Sequence, residues 1–199
     1  MLNRLLIFAA AIGLAASVSC RTQSDHTADP SPTPATAAED VWRGARIIEY
    51  RPSTVSISVL KGWDVSIRDQ VATMFSPDKK LTVLFYASPA KTFEQASSKS
   101  IEQVATFVDS AENKGRSDKW ETEDGLSAIN EQGIGFKNGS KVGWGSCVIK
   151  TPSTPLQVVW YFDPDDKNRD ANLEQLRLML NNIRKLANAK RTANTYIVD

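Results

Sequence analysis

The sequence predicts an α+β fold: an antiparallel β-sheet of about six to eight strands in two meanders, covered by two amphipathic helices as an α/β/α sandwich. Three observations predict it. Short apolar runs of strand length recur through the chain, two of them are apolar on both faces, and two longer stretches carry a helical apolar stripe. In residues 156–162, Leu156, Val158, Trp160 and Phe162 point one way, and Val159 and Tyr161 the other. In residues 81–87, Leu81, Val83 and Phe85 likewise oppose Leu84 and Tyr86. A strand apolar on both sides needs a cover on both sides. Two helices on opposite faces of the sheet meet that need.

Residues 1–19 read as an export signal. Asn3 and Arg4 give a polar, positive start, and the apolar run from Leu5 to Ala16 has the length of a signal h-region. It is too short for a bilayer span, which needs ~20 apolar residues. Two readings of Ser17-Val18-Ser19-Cys20 compete. Small residues suit ordinary secretory cleavage before Cys20. The stretch also resembles a bacterial lipobox, whose cysteine is acylated, and the downstream context favours that reading. Residues 20–41 carry Pro30, Pro32 and Pro34 among many Ala, Thr and Ser, a composition that cannot offset the entropy of ordering. Such a segment is a semi-extended tether. Two or more acyl chains anchor stably, so the membrane becomes a partner through the lipid on Cys20. Arg21 stands where inner-membrane retention signals place Asp, and that resemblance favours the outer membrane. Without lipidation, Cys20 and Cys147 could instead form a disulfide.

Residues 42–187 read as one domain. Residues 54–59, 63–68, 71–75 and 81–87 alternate as strands, punctuated by Gly62 and by Ser76-Pro77-Asp78. Thr92 and Gln95 have capping-box spacing, and Phe93, Ile101, Val104, Val108 and Ala111 extend one helical stripe towards Asn113. Residues 119–123, 126–136 and 141–150 form a meander joined at Asp124-Gly125 and Asn138-Gly139, which are strong hairpin signals. After strand 156–162, a helix over 170–187 carries Leu173, Leu176, Leu180 and Ile183, with Arg184 and Lys185 placed to complement its dipole. Residues 188–199 have no clear period, and fraying is expected there.

The element order resembles the PsbP-like fold, shared by extrinsic photosystem proteins and by bacterial lipoproteins of the DcrB-like kind. Leu60-Lys61-Gly62-Trp63, Phe75-Ser76-Pro77-Asp78 and the apolar strand from Leu81 carry the resemblance, which spans residues 57–186. It implies a protein that scaffolds, stabilises or chaperones others more often than one that catalyses.

Composition narrows the function further. The chain holds 24 Lys and Arg against 23 Asp and Glu. Removing the signal, which carries only Arg4, leaves a neutral chain without the basic stripe that nucleic acid requires. The single histidine, His26, lies in the tether, so histidine catalysis and His-rich metal sites are not expected.

Three candidate sites stand beside their structural readings. Cys147 lies mid-strand and lacks an activating histidine, which favours an inert buried thiol over a nucleophile. Asp166, Asn168 and Asp170 have the start of a calcium-loop spacing, but Ala171 replaces its glycine and Arg177 its glutamate. A turn and helix N-cap account for them. No metal or cofactor is expected. Of the five tryptophans, Trp42, Trp120 and Trp144 are the candidate contact surface, Trp42 and Trp120 first because they flank less regular segments. Trp144, paired opposite Gly133 across the Asn138-Gly139 turn, is either a sheet-building device or part of a ligand groove cleared by Gly135, Gly143 and Gly145. Glu121, Glu123 and Asp124 read as a solvated hairpin edge.

The sequence thus leads to a lipid-anchored cell-envelope module that binds an envelope protein and is not an enzyme. The alternative is a periplasmic domain binding a small molecule or lipid near Trp144.

Overall fold

The computed structural model describes residues 41–115, 117–189 and 194–199. The predicted export signal, Cys20 and the tether up to residue 40 lie outside the described residues.

Two sheets carry the fold. In the smaller, β1 (Arg46–Tyr50) pairs antiparallel with β2 (Val55–Val59) through a single 3-10 turn at Arg51–Ser53. Pro52 fits that turn because its missing N–H falls at the start, where helical donors are unpaired anyway. The larger sheet runs β3 (Asp64–Arg68), β4 (Val71–Phe75), β5 (Leu81–Ala87), β10 (Leu156–Phe162), β9 (Ser140–Ile149), β8 (Ser127–Lys137) and β6 (Asp109–Asn113), each antiparallel to its neighbour. A short strand, β7 (Asp118–Glu121), pairs only with β8. The β8–β9 hairpin turns at Asn138 and Gly139, with φ of 50° and 77°. These are the positive angles that a two-residue primed turn demands.

Three helices cover the large sheet. Helix α1 (Phe93–Ser98) and helix α2 (Ser100–Val104) lie on one face, where Val104 packs with Val142, Trp144 and Val159. Helix α3 (Arg169–Asn181) covers the other, its Leu176, Met179 and Leu180 buried against Val83, Phe85, Cys147 and Val158. The same cluster takes in Ile48, Tyr50 and Ile57, so one core joins the small sheet to the large. The Tyr50 hydroxyl ties them further: it donates to the Gln70 carbonyl at 2.6 Å and accepts the Ala87 N–H at 2.8 Å. The α+β class and the helices on opposite faces agree with the sequence.

Four local expectations are corrected. The helix from Thr92 does not run to Ala111. Thr92 does cap it, accepting the Gln95 N–H at 3.2 Å. But Ser97 and Ser98 turn their hydroxyls back onto the Phe93 and Gln95 carbonyls, which weakens a helix. The chain breaks at Lys99, and Ala111 lies in β6, bulged at Ser110 with φ of 49°. The last helix ends at Asn181, not Ala187, and Arg184–Lys185 forms a two-residue strand, β11, on β2 instead of closing a helix dipole. The tail does not fray throughout. Thr195–Val198 is strand β12, parallel to β1, with Val198 buried. Finally, the single sheet expected from the sequence is two: the strand predicted over 54–59 is β2, and it lies in a separate small sheet, β11-β2-β1-β12, with three strands the sequence does not signal.

Candidate functional site

The site begins with two glycines on β9. Register sets Gly143 opposite Phe162 and Gly145 opposite Trp160 on β10. A Cβ on either glycine would overlap the facing aromatic ring. With hydrogen in place of a side chain, each ring lies down across the neighbouring backbone. The result is a flat aromatic floor on the α3 face of the sheet.

Helix α3 leans over β5 and the small sheet, leaving that floor partly open. A groove of about 470 Å³ remains between helix and sheet, within the usual range of small-molecule sites. Trp160 and Phe162 floor it, Leu173, Leu176 and Leu180 of α3 form one wall, and Trp120 on β7 forms the other. Asn130, Gln132, Glu121, Arg177 and Asn181 add polar groups. Two of the lining side chains carry buried polar atoms without a hydrogen-bond partner among the described residues: the Trp120 indole Nε1 and the Asn130 carboxamide Oδ1. Arg177 is already committed, its Nε and Nη2 donating to both Glu174 carboxylate oxygens at 2.8 and 2.6 Å. That pairing holds the Glu174 carboxyl below its ordinary pKa. A second hollow, of about 550 Å³, shares Trp120 and Glu121 with the first and continues along Phe93, Ser97 and Ile129.

The residues singled out from the sequence fall in different places. Trp120 is half-buried and lines the groove. Trp42 is half-buried against the main core, away from the groove-lining set. Trp144 is 1% exposed, which corrects its expected role as a contact surface. Its ring covers Gly133, whose Cβ would come within 2.6 Å of it, and its Nε1 donates to the Ile134 carbonyl at 2.9 Å. The sheet-building reading of that pair is the one realised. Trp144 nevertheless borders the groove. Gly143 and Gly145 lie beneath the groove floor, but they seat rings there and do not clear space as the ligand-groove alternative requires. Gly135 does neither, since it faces Val108 and β6.

Cys147 is fully buried, and burial pushes its thiol far above the usual range, opposite to what a nucleophile needs. The acids after Phe162 are occupied locally. Asp163 accepts the Asp165 N–H at 3.0 Å, Asp166 the Asn168 N–H at 3.1 Å, and Asp170 pairs with Arg169. The Asn168 side chain does not cap α3 as expected. It donates instead to Asp78 at 3.1 Å, beside two bonds from Asn172. Among the described residues, no three His, Cys, Asp or Glu side chains gather as a metal site would require. Glu123 and Asp124 are not a free solvated edge. Glu123 pairs with Arg184 at 2.8 Å, and Asp124 accepts the Lys185 N–H at 2.7 Å.

Sequence reasoning missed Trp160 and Phe162 as site residues. The signal was present as Gly-x-Gly on one strand and Trp-x-Phe on the next. Matching them requires the β9–β10 register, which the irregular turn between those strands hides.

No protein-family model matches this sequence, and no curated protein matches it. Solved structures do resemble it. LpqN of Mycobacterium tuberculosis, involved in cell envelope biogenesis, is 12% identical with a TM-score of 0.49 over 78% of this chain and 98% of its own. PA94 of Pseudomonas aeruginosa, a protein of unknown function, is 11% identical with a TM-score of 0.41 over 75% and 99%. Cyanobacterial PsbP from Synechocystis is 12% identical with a TM-score of 0.45 over 68% of this chain and 88% of its own.

Proposed function

We propose that this protein is a lipid-anchored binding module of the cell envelope whose site is the aromatic groove beneath α3. The observation that carries the reading is the floor itself: Trp160 and Phe162 laid flat over Gly145 and Gly143, facing a leucine wall across about 470 Å³. Apolar area in a concave site binds by removing water from both surfaces, at about 25 cal/mol per Å². The role is binding and not catalysis, given the buried thiol of Cys147 and acids engaged in turns. The anchor is the acylated Cys20, with the outer membrane as its address. No helix among the described residues is long and apolar enough to cross a membrane.

Nile red, a neutral apolar dye, tests the groove. Saturable one-to-one binding that is lost in Leu173→Glu, with the melting temperature retained, supports the reading. Binding unchanged in that variant, or no binding at all, overturns it.

A second reading, a protein-interaction module, is favoured by β12. It is an edge strand with no outer neighbour among the described residues, and it exposes Tyr196 and Ile197. Such an edge accepts a partner strand. A photo-crosslinker at position 197 that repeatedly captures one envelope protein in intact cells would support this reading. Capture of none would remove it.

A further inference from the structure

Resting on the groove reading, the chemistry of its wall narrows the ligand class. The Trp120 Nε1–H can only donate a hydrogen bond, and the Asn130 Oδ1 can only accept one. Both atoms are buried without partners. They belong to diagonal positions on paired strands, since Trp120 is opposite Ala128 and Asp118 is opposite Asn130, so one face of the sheet carries both. We propose that these two groups are the polar anchor of the site, and that the ligand is an uncharged amphiphile whose hydroxyl binds there while its apolar body lies on Trp160 and Phe162.

Elimination of charge types supports this. A carboxylate could accept from the indole but would face the Asn130 oxygen and the Glu121 side chain with like polarity. An ammonium could donate to Asn130 but offers nothing to the indole N–H. A hydroxyl does both. Arg177, the one cation lining the groove among the described residues, is held in a two-pronged pair by Glu174 and does not await an anion.

Neither anchor atom is open to water, so binding there requires a movement that uncovers them, and a shift of the Trp120 ring would serve. β7 permits this, being four residues long and paired, among the described residues, with β8 alone. Trp120 lines both the groove and the second hollow, so the shift would reshape both.

The test is calorimetric titration of the purified protein with 1-octanol, octanoate and octylamine, which share a chain and differ in head group. Octanol should bind at least about tenfold more tightly than either ion. Asn130→Leu and Trp120→Phe each remove one anchor and should weaken octanol about fivefold, the size of one net hydrogen bond. The melting temperature of Asn130→Leu should not fall, because a buried acceptor without a partner is being replaced by an apolar group of similar shape. Equal or tighter binding of octanoate or octylamine overturns the anchor assignment while leaving the groove intact, as does undiminished octanol binding in both folded variants. If no octyl compound binds and Nile red does not either, the groove reading fails with it.

Discussion

Asp78 is exposed at the β4–β5 turn, yet it fastens that turn to helix α3. Its carboxylate accepts from the Ser76 hydroxyl at 2.6 Å, the Lys80 N–H, and the Asn168 and Asn172 amides. These bonds, the Ser76 one foremost, hold its carboxyl well below the usual range despite some desolvation. A depressed native pKa means the contribution is complete above the unfolded value of about 3.9 and is lost as pH falls through the lower native value. Asp78→Ala should therefore cost about 1–2 kcal/mol at pH 7 in urea unfolding. The gap to wild type should narrow as the pH is taken well below 4. A gap independent of pH would show that the charge is not what matters. Gly145 makes the complementary case, in which a missing side chain is the functional group. Gly145→Ala places a methyl inside the Trp160 ring and should cost about 1–3 kcal/mol by overpacking. It should also weaken Nile red, because the ring must tilt off the floor. Wild-type stability and dye affinity together would rule out the flat-ring geometry.

Strand β12 and the broken helix show where reading a sequence locally succeeds and fails. Short runs apolar on both faces, such as Leu81–Ala87 and Leu156–Phe162, match the observed strands to the residue, because a continuous apolar stretch bounded by turn residues is written in the chain itself. So was the pairing of Trp144 with Gly133, since a two-residue turn sets the register on both sides of it. Ala111 and Ile183 fitted helical stripes by spacing alone, and spacing does not record that Ser97 and Ser98 compete for backbone carbonyls. β12 was invisible for another reason. Its sequence, Thr195–Val198, earns strand structure only by lying beside β1, more than a hundred residues away in the chain. Burial of Val198 and the ion pair of Arg51 with Asp199 are the returns of that contact. Val198→Asp should accordingly destabilise the domain by about 2–4 kcal/mol in chemical denaturation, as a charge placed in a packed core does. No change would return the tail to the frayed segment its composition suggests.

Over its whole length beyond residue 19 the chain is neutral, and the anchor proposed at Cys20 would not depend on charge. If Cys20 is acylated, the full-length protein should partition into detergent and stay on membranes in high salt, since screening weakens charge contacts and not buried acyl chains. Cys20→Ser should release it or leave an unprocessed precursor, and if residues 20–41 are the tether their composition predicts, the domain's melting temperature should not change. Salt-dependent release of the wild type would refute the anchor. The site was half legible in the sequence. Trp120, Gly143 and Gly145 could be named, because tryptophans and strand glycines draw attention by type. Trp160, Phe162 and the leucines of α3 read as ordinary core, and only the lean of the helix over β5 leaves them facing a groove. The most direct measurement is therefore native mass spectrometry of the protein recovered gently from its own envelope. A discrete ligand mass on the wild type, absent from an equally stable Leu173→Glu variant, is the predicted result. Bare protein in both, or the same ligand on both, would contradict the groove as the binding site.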